Sequence, residues 1–389
     1  MKADCDVLVV GAGVAGVPAA VAAARDGART VLLESRAFPG GAGVAGLHRF
    51  ICGLYLSGPD AHAQLLHGGL VAEVCEALQH RHGSQPRRMG RVDVLSYEPA
   101  ALRKVYAGIL AGSEGLETRF GEAVRSVTRE GRRIARIATE QREWRPSVVI
   151  DASGDGFVIR TGADLHEIAA EPERQLAGCT VEVLGLHFGD ELLTVRVPYR
   201  LREAASAGEL PCALGFTVLV RGELAGQGWL KISLPSGSQR GAMTVDQAAR
   251  QVHTVLRDRL PEFRDSRLGA MSPEILEREG ARLKGRYCLT ADDVMAGRAF
   301  ADSAARGAWP MEIWEPGRGP TYRYAPAGRW YEVPGGCLRA AAVDNLLCAG
   351  RCISVTREAL GSTRVMGICM ALGEAAGHEA ARLARECGE

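Results

Sequence analysis

Lysine is scarce in this 389-residue chain, where only Lys2, Lys104, Lys231 and Lys284 contribute to 47 basic residues. Arginine supplies the rest. Together with 48 glycines and abundant alanine, this usage fits a genome rich in G and C better than an arginine-based binding surface. Acidic and basic residues nearly cancel, leaving a formal net charge of +1. That balance removes the general pull towards nucleic acid or an anionic membrane, and neither is expected as a partner. No uninterrupted apolar run is long enough to span a bilayer. The 11 cysteines form no CxxC pair, and Cys348 and Cys352 lack a second pair at zinc-ligand spacing. Most of them read as buried, reduced thiols. Without a GxSxG elbow, a P-loop lysine motif or an HExxH site, hydrolase, NTPase and metalloprotease chemistry have no support. The first strand pattern opens at Asp6 and leaves no room for a secretory signal, so the expected compartment is the cytoplasm.

The most informative feature present is VLVVGAGVAG at Val7–Gly16, with Glu34 closing VLLE. The pattern reads as strand, glycine turn, helix, strand and acidic residue. Gly11 permits the sharp turn, Gly13 removes the side chain that would hold a pyrophosphate off the backbone, and Gly16 lets the helix sit close to the sheet. The new helix start, with Val14 and Ala15, turns free N–H groups towards an anion. Glu34 can accept from the hydroxyls of an adenosine ribose and would repel a 2′-phosphate. A dinucleotide site is therefore expected.

Beyond this unit, Leu65–His80 and Pro99–Leu110 read as helices and Val92–Leu95 as a strand. Thr118–Phe120, Ala123–Thr128, Arg133–Thr139 and Ser147–Asp151 suggest a small meander ending in a strand of the main sheet. From about residue 166 the pattern changes. Cys179–Leu184, Leu193–Val197, Phe216–Val220 and Trp229–Leu234 read as strands of a largely antiparallel sheet, and Thr244–Leu260 as a helix ended by Pro261. GELAGQG at Gly222–Gly228 imitates a second fingerprint, but the WLKISL that follows is a strand, so a hairpin loop is expected. Asn345–Ala349 returns to an apolar strand. Arg364–Arg385 reads as one long helix buried in its first turns, with Ser362 or Thr363 as its N-cap.

Three further segments carry a resemblance: Pro39–Leu47 (PGGAGVAGL), Val148–Gly156 (VVIDASGDG) and Asn345–Gly377 (NLLCAGRCISVTREALGSTRVMGICMALGEAAG). With Arg282–Trp314, they resemble the FAD-dependent oxidoreductase family of the glutathione-reductase-like flavoprotein superfamily. The match is strong towards the C-terminus and weak over 166–250. It implies an α/β fold: a Rossmann-like FAD-binding domain (parallel sheet plus β-meander) formed by 1–165 and 335–389, and a mostly antiparallel β substrate domain over 166–334. It further implies non-covalent FAD. Glu34, flanked by Ser35 and Arg36, would hold the ribose, and Val124 would lie near adenine. Gly40, Gly41 and Ala42 would run along the pyrophosphate or ribityl chain. Ala152, Ser153 and Gly154 would abut the pyrophosphate, and Gly350 and Arg351 the ribityl chain. Arg364, Val365, Met366 and Gly367 would lie at the flavin ring, with helix N–H groups stabilising the reduced form. The family often has a threonine after the double glycine, where this chain has Ala42, Val44 and Ala45. The stretch Val333-Pro334-Gly335-Gly336 also departs from the family pattern.

The implied activity is hydride transfer between flavin N5 and a small organic substrate. The alternatives are an NAD(P)H-dependent flavin monooxygenase and a flavin-binding redox partner without turnover. NAD(P)H or an external electron acceptor would complete the cycle, and the oligomeric state stays open. Candidate catalytic groups are His48, as a base with a pKa suited to neutral pH, Arg49 as a carboxylate grip, and Arg282, which with Tyr287 and Arg298 would close the pocket. Packing, surface contact or ion pairing is the competing role for each. Cys52 lies where disulfide reductases carry a cysteine pair, but its partner is absent.

Overall fold

The computed structural model describes residues 3–58, 62–189 and 192–387. Its centre is a five-stranded sheet made of β1 (Cys5–Val10), β2 (Thr30–Glu34), β3 (Leu116–Phe120), β4 (Pro146–Asp151) and β5 (Leu346–Cys348). The strand order is β5-β4-β1-β2-β3, and every pairing is parallel. Parallel strands need covering on both faces, which is why β1 and β2 are almost continuously apolar and buried. Thr118–Phe120 belongs to this sheet. The meander is a separate antiparallel set of Val124–Glu130, Arg133–Thr139 and Glu143–Trp144.

Helix α1 (Gly16–Arg25) lies against the C-terminal helix α3 (Met366–Glu386) along a glycine seam. A Cβ on Gly373 would sit 2.0 Å from the Ala15 carbonyl oxygen, and one on Gly377 would sit 2.2 Å from that of Ala19. The two backbones thus approach within a distance that no side chain permits.

A second sheet, Val218–Arg221, Gln227–Leu234, Ala177–Leu184 and Arg267–Met271 in that order, is wholly antiparallel. The loop Gly222–Gly226 is its hairpin connection, as expected. Leu193–Val197 is not one of its strands. It opens a helix, Leu193–Ser206, whose buried residues are Leu193, Val197, Leu201 and Ala204. Their spacing of four, four and three residues is helical, and Val195, which completed the apparent strand alternation with Leu193 and Val197, is exposed. This helix and Val245–Arg259, opened by a Thr244–Gln247 capping box, cover the sheet and form a distinct hydrophobic core with Val181, Leu230 and Ile232. Leu283, Leu289, Met311, Tyr331 and Val333 pack instead into the core of the parallel sheet.

The C-terminal region is two helices rather than one. Helix α2 (Arg357–Thr363), capped by Thr356, ends at Arg364, and α3 starts at Met366 with Val365 as an N-cap that makes no side-chain bond. Ser362 and Thr363 therefore close a helix instead of opening one. The Ser362 hydroxyl is bound to Tyr331 Oη at 2.6 Å and donates to the Trp309 carbonyl. Among the described residues no helix is long and apolar enough to cross a membrane.

Candidate active site

The turn between β1 and α1 is built by glycine. Gly11 has φ +98°, and a Cβ there would lie 2.7 Å from the Ala152 carbonyl. Gly13 faces open space, its nearest neighbour beyond adjacent residues being Gly41 Cα at 4.0 Å from the position a Cβ would take. Gly40 N–H donates to the Ala12 carbonyl at 2.7 Å, which brings the Pro39–Gly43 stretch alongside the turn. No side chain caps the start of α1; Val17 N–H donates to the Gly13 carbonyl at 3.1 Å and Pro18 carries no N–H, so the N–H groups available to a ligand are those of the turn before Val17. Glu34 is buried at the end of β2. Its Oε2 accepts from Ala12 N–H at 2.7 Å, and its Oε1 from Arg36 N–H at 2.8 Å and the Ser35 hydroxyl at 3.1 Å.

These groups border a cavity of about 670 Å³. One end is formed by Glu34, Ser35, Arg36 and Val124. The middle runs past Gly11, Gly13, Val14, Ala15, Gly41, Ala42, Ala152, Ser153, Gly154, Gly350 and Arg351. The far end holds His48, Arg364 and Met366. The second sheet borders the cavity with Gly178, Cys179, Thr180, Lys231 and Ile232, and the connection Glu274–Arg278 runs along it, from Glu274 paired with Arg36, past Glu277 whose carbonyl accepts from Arg351 at 2.8 Å, to Arg278 beside Arg364. Residues separated by more than 300 positions thus line one continuous cleft.

Four of the expected cofactor residues lie behind the wall of this cavity. Gly16 is pressed beneath the Gly11 carbonyl, where a Cβ would come within 1.7 Å, and Gly40 is pressed against Val44. A Cβ on Gly367 would lie 2.7 Å from Gly53 C and Leu54 N, while Val365 packs on Gly53. Gly367 N–H donates to the Cys52 carbonyl at 2.9 Å, so this helix start is directed at the segment 52–54.

The catalytic candidates separate in the same way. Arg49 lies outside the cavity, paired with Glu98 and stacked over Trp229 at 4.9 Å. Arg282 is buried opposite Glu167 in a two-stranded pairing, with Nε and Nη1 unpartnered among the described residues, and does not border the cavity. Tyr287 and Arg298 both serve Asp293, at 3.0 and 2.8 Å. His48 does border it. Burial, reinforced by Lys231, Arg278 and Arg364, pushes its imidazole down to about 3, far from the neutral range that its residue type suggested. Burial pushes the Cys52 thiol up to about 12, and Cys52 has no disulfide partner among the described residues.

Because His48 stays neutral, its imidazole resonances, identified by their loss in His48→Gln, should not shift between pH 5 and pH 8. Proton NMR of the histidines across that range tests this. A midpoint near 6.5 would mean that the ring is neither buried nor exposed to the three cations as the geometry implies.

Sequence reasoning did not find Lys231, Arg278 or Thr180. Lys231 carried a usable signal, being one of four lysines and the only charge in the apolar run WLKISL. Arg278 lies in an irregular connection and gave none.

A family model described as FAD dependent oxidoreductase matches residues 6–184 and 201–387. The chain belongs to the FAD dependent oxidoreductase family. Its cofactor is FAD and it is an enzyme of the oxidoreductase class. One curated relative is the probable electron transfer flavoprotein-quinone oxidoreductase YgcN of Escherichia coli (strain K12), 27% identical over 195 residues. The alignment covers 48% of this chain and only 44% of that relative's length. Solved structures similar to this one include the L-proline dehydrogenase of P. horikoshii, at 11% identity and TM-score 0.49, covering 96% of this chain and 92% of that one. The p-nitrophenol 4-monooxygenase PnpA of Pseudomonas putida DLL-E4 has 12% identity and TM-score 0.47, with coverage of 100% and 82%.

The residues present suit the family's cofactor. Gly13 leaves the space that a Cβ would fill, the turn entering α1 offers N–H groups to a pyrophosphate, and Glu34 offers a charged acceptor at the opposite end from His48.

Proposed function

We propose that this member of the FAD dependent oxidoreductase family binds FAD non-covalently along the cavity, and that it oxidises or reduces a small organic molecule held between the flavin and the second sheet. The observation that carries this reading is the continuity of the cavity from Glu34 to His48 and Arg364, with strands of the second sheet as its outer wall. When bound, the flavin supplies a hydride acceptor or donor at N5. The protein's own residues do the rest. Glu34 binds the ribose, Gly13 and the N–H groups of the turn entering α1 take the pyrophosphate, and Gly350 and Arg351 border the ribityl chain. The second sheet excludes water and presents Thr180 and Lys231 to the substrate. The name of the relative YgcN supports an electron acceptor outside the protein.

The purified protein should be yellow and should release FAD, not FMN, on denaturation. Chromatography of the released cofactor decides it, since FMN would leave the Glu34 end of the cavity without an occupant. Anaerobic bleaching of the bound flavin by a small organic molecule, followed by reoxidation with an external acceptor, tests the activity. Incorporation of molecular oxygen into the product would replace this reading with that of a monooxygenase.

A further inference from the structure

The far end of the cavity carries more positive charge than the protein itself compensates. Lys231 enters from the strand Gln227–Leu234, Arg278 from the connection before residue 282, and Arg364 from the break between α2 and α3. His48 lies among them and experiences all three.

The nearby carboxylates are already engaged. Glu312 faces Arg364, Arg278 and Lys231. It accepts from the Trp314 indole N–H at 2.7 Å, and burial opposes its charge while Arg364, Trp314 and Arg278 hold its carboxyl below the ordinary range. Glu277 is bound by Arg240 at 2.9 Å and by the Ser236 hydroxyl at 2.6 Å. Glu279 is paired with Arg357 at 3.1 Å and accepts from Gln175 N–H at 2.8 Å. One carboxylate, Glu312, therefore remains to balance three cations.

The cations are held in place with donors left over. Arg278 stacks on Trp314 at 4.2 Å and donates to the carbonyls of Leu176 and Ala177. Arg364 donates to the Glu312 carbonyl at 3.1 Å, yet its Nε is buried without a partner among the described residues. Lys231 has no ion pair or hydrogen bond among the described residues, its nearest ring being Phe50 at 6.0 Å. Like charges crowded in a cleft away from bulk water are costly unless an anion joins them. A reduced flavin would contribute one negative charge near N1 and the C2 carbonyl. After Glu312 and that charge, one cation is still unmatched.

We propose that the substrate of this site carries a carboxylate, gripped by Lys231, Arg278 and Arg364 at the end of the cavity formed by the second sheet. The inference rests on the placement of FAD proposed above. A guanidinium takes a carboxylate through paired N–H donors, and the ammonium of Lys231 adds a point charge. Thr180 borders the same space and offers a hydroxyl to a second polar group of the ligand.

The test uses the FAD-loaded protein and reads the perturbation of the oxidised flavin spectrum. Propionate, lactate and benzoate are each titrated against the corresponding primary amide. At least one carboxylate should bind tenfold or more tightly than its amide, with a dissociation constant that rises with salt. Lys231→Met should weaken that carboxylate by tenfold or more while FAD content holds. Absence of any preference for a carboxylate over its amide overturns the inference, and this comparison needs only the unaltered protein. A Lys231→Met variant with a lowered flavin midpoint potential but unchanged carboxylate affinity also overturns it, by assigning the cations to the flavin alone. FAD content is measured first on the same preparation. A chain that takes up no FAD refutes the functional reading, whereas a loaded chain without carboxylate preference refutes only this inference.

Discussion

Glu34→Ala should lower FAD affinity by about one to two decades, the loss of a charged acceptor worth roughly 1.5–3 kcal/mol. Glu34 is a demanding position because its carboxylate serves two purposes. Three of about four lone-pair sites on a carboxylate are engaged by the protein, through Ala12 N–H, Arg36 N–H and the Ser35 hydroxyl. The Ser35 hydroxyl rotates freely, so a ribose diol can take its place alongside the remaining site. Alanine would abolish the ribose contacts and leave the Ala12 N–H unpaired, so the apoprotein should also lose about 1–3 kcal/mol. Glu34→Gln keeps a neutral acceptor for Ala12 and should fall between the two. Titration of apoprotein with FAD, followed by flavin fluorescence, gives all three dissociation constants. If Glu34→Ala binds FAD as tightly as the parent, Glu34 is not the ribose ligand and only organises the turn.

Gly373→Leu should be still more damaging, and through the fold rather than through the cofactor. Its Cβ would fall 2.0 Å from a backbone oxygen of α1, and neither backbone can rotate out of the way. Overpacking costs roughly 1–3 kcal/mol when side chains can adjust, and here they cannot. A loss of about 3 kcal/mol or more corresponds to a melting temperature lowered by roughly 6 °C at about 2 °C per kcal/mol. Loss of soluble protein is the extreme form of the same result. Because Ala15 is both the cap of α1 and a wall of the cavity, FAD affinity should fall with stability. Gly108→Ala is the control. It sits in the helix Pro99–Ala111 with nothing within 4 Å of its Cβ position, and should gain about 0.5–1 kcal/mol. A Gly373→Leu variant that melts with the parent would show that α3 can move away from α1, contrary to a rigid seam. Gly377 belongs to the same seam and cannot serve as a neutral reference.

The parts of this protein legible in the sequence are those whose physics is local. A glycine turn between an apolar strand and an alanine-rich helix, followed by Glu34, specifies its own geometry within about thirty residues, and the motif segments near 152 and 350 could be placed on the same cavity. The helix read over Thr244–Leu260 was legible for the same reason, since its periodicity and the Pro261 that ends it are local signals. Leu193–Val197 was misread because β-branched residues satisfy a strand pattern and a helical stripe alike over five positions. Only the sheet beneath Leu201 and Ala204 decides between them. The long helix was expected from Arg364 with Ser362 or Thr363 as its N-cap, and the α2 that those residues end was missed because seven residues are too few for a periodic signal. The hydrogen bonds that divide α2 from α3 come from Tyr331, Trp309 and Cys52, all distant in sequence. Gly367 carries the same glycine signal as Gly13, yet one meets the backbone at Gly53 and the other faces open cavity, a difference set wholly by what packs against each. The cation cluster was beyond the sequence altogether. Lys231, Arg278 and Arg364 come from three separate elements, and only the tertiary structure brings their charges around His48, where they add to the burial that pushes its imidazole far below the neutral range.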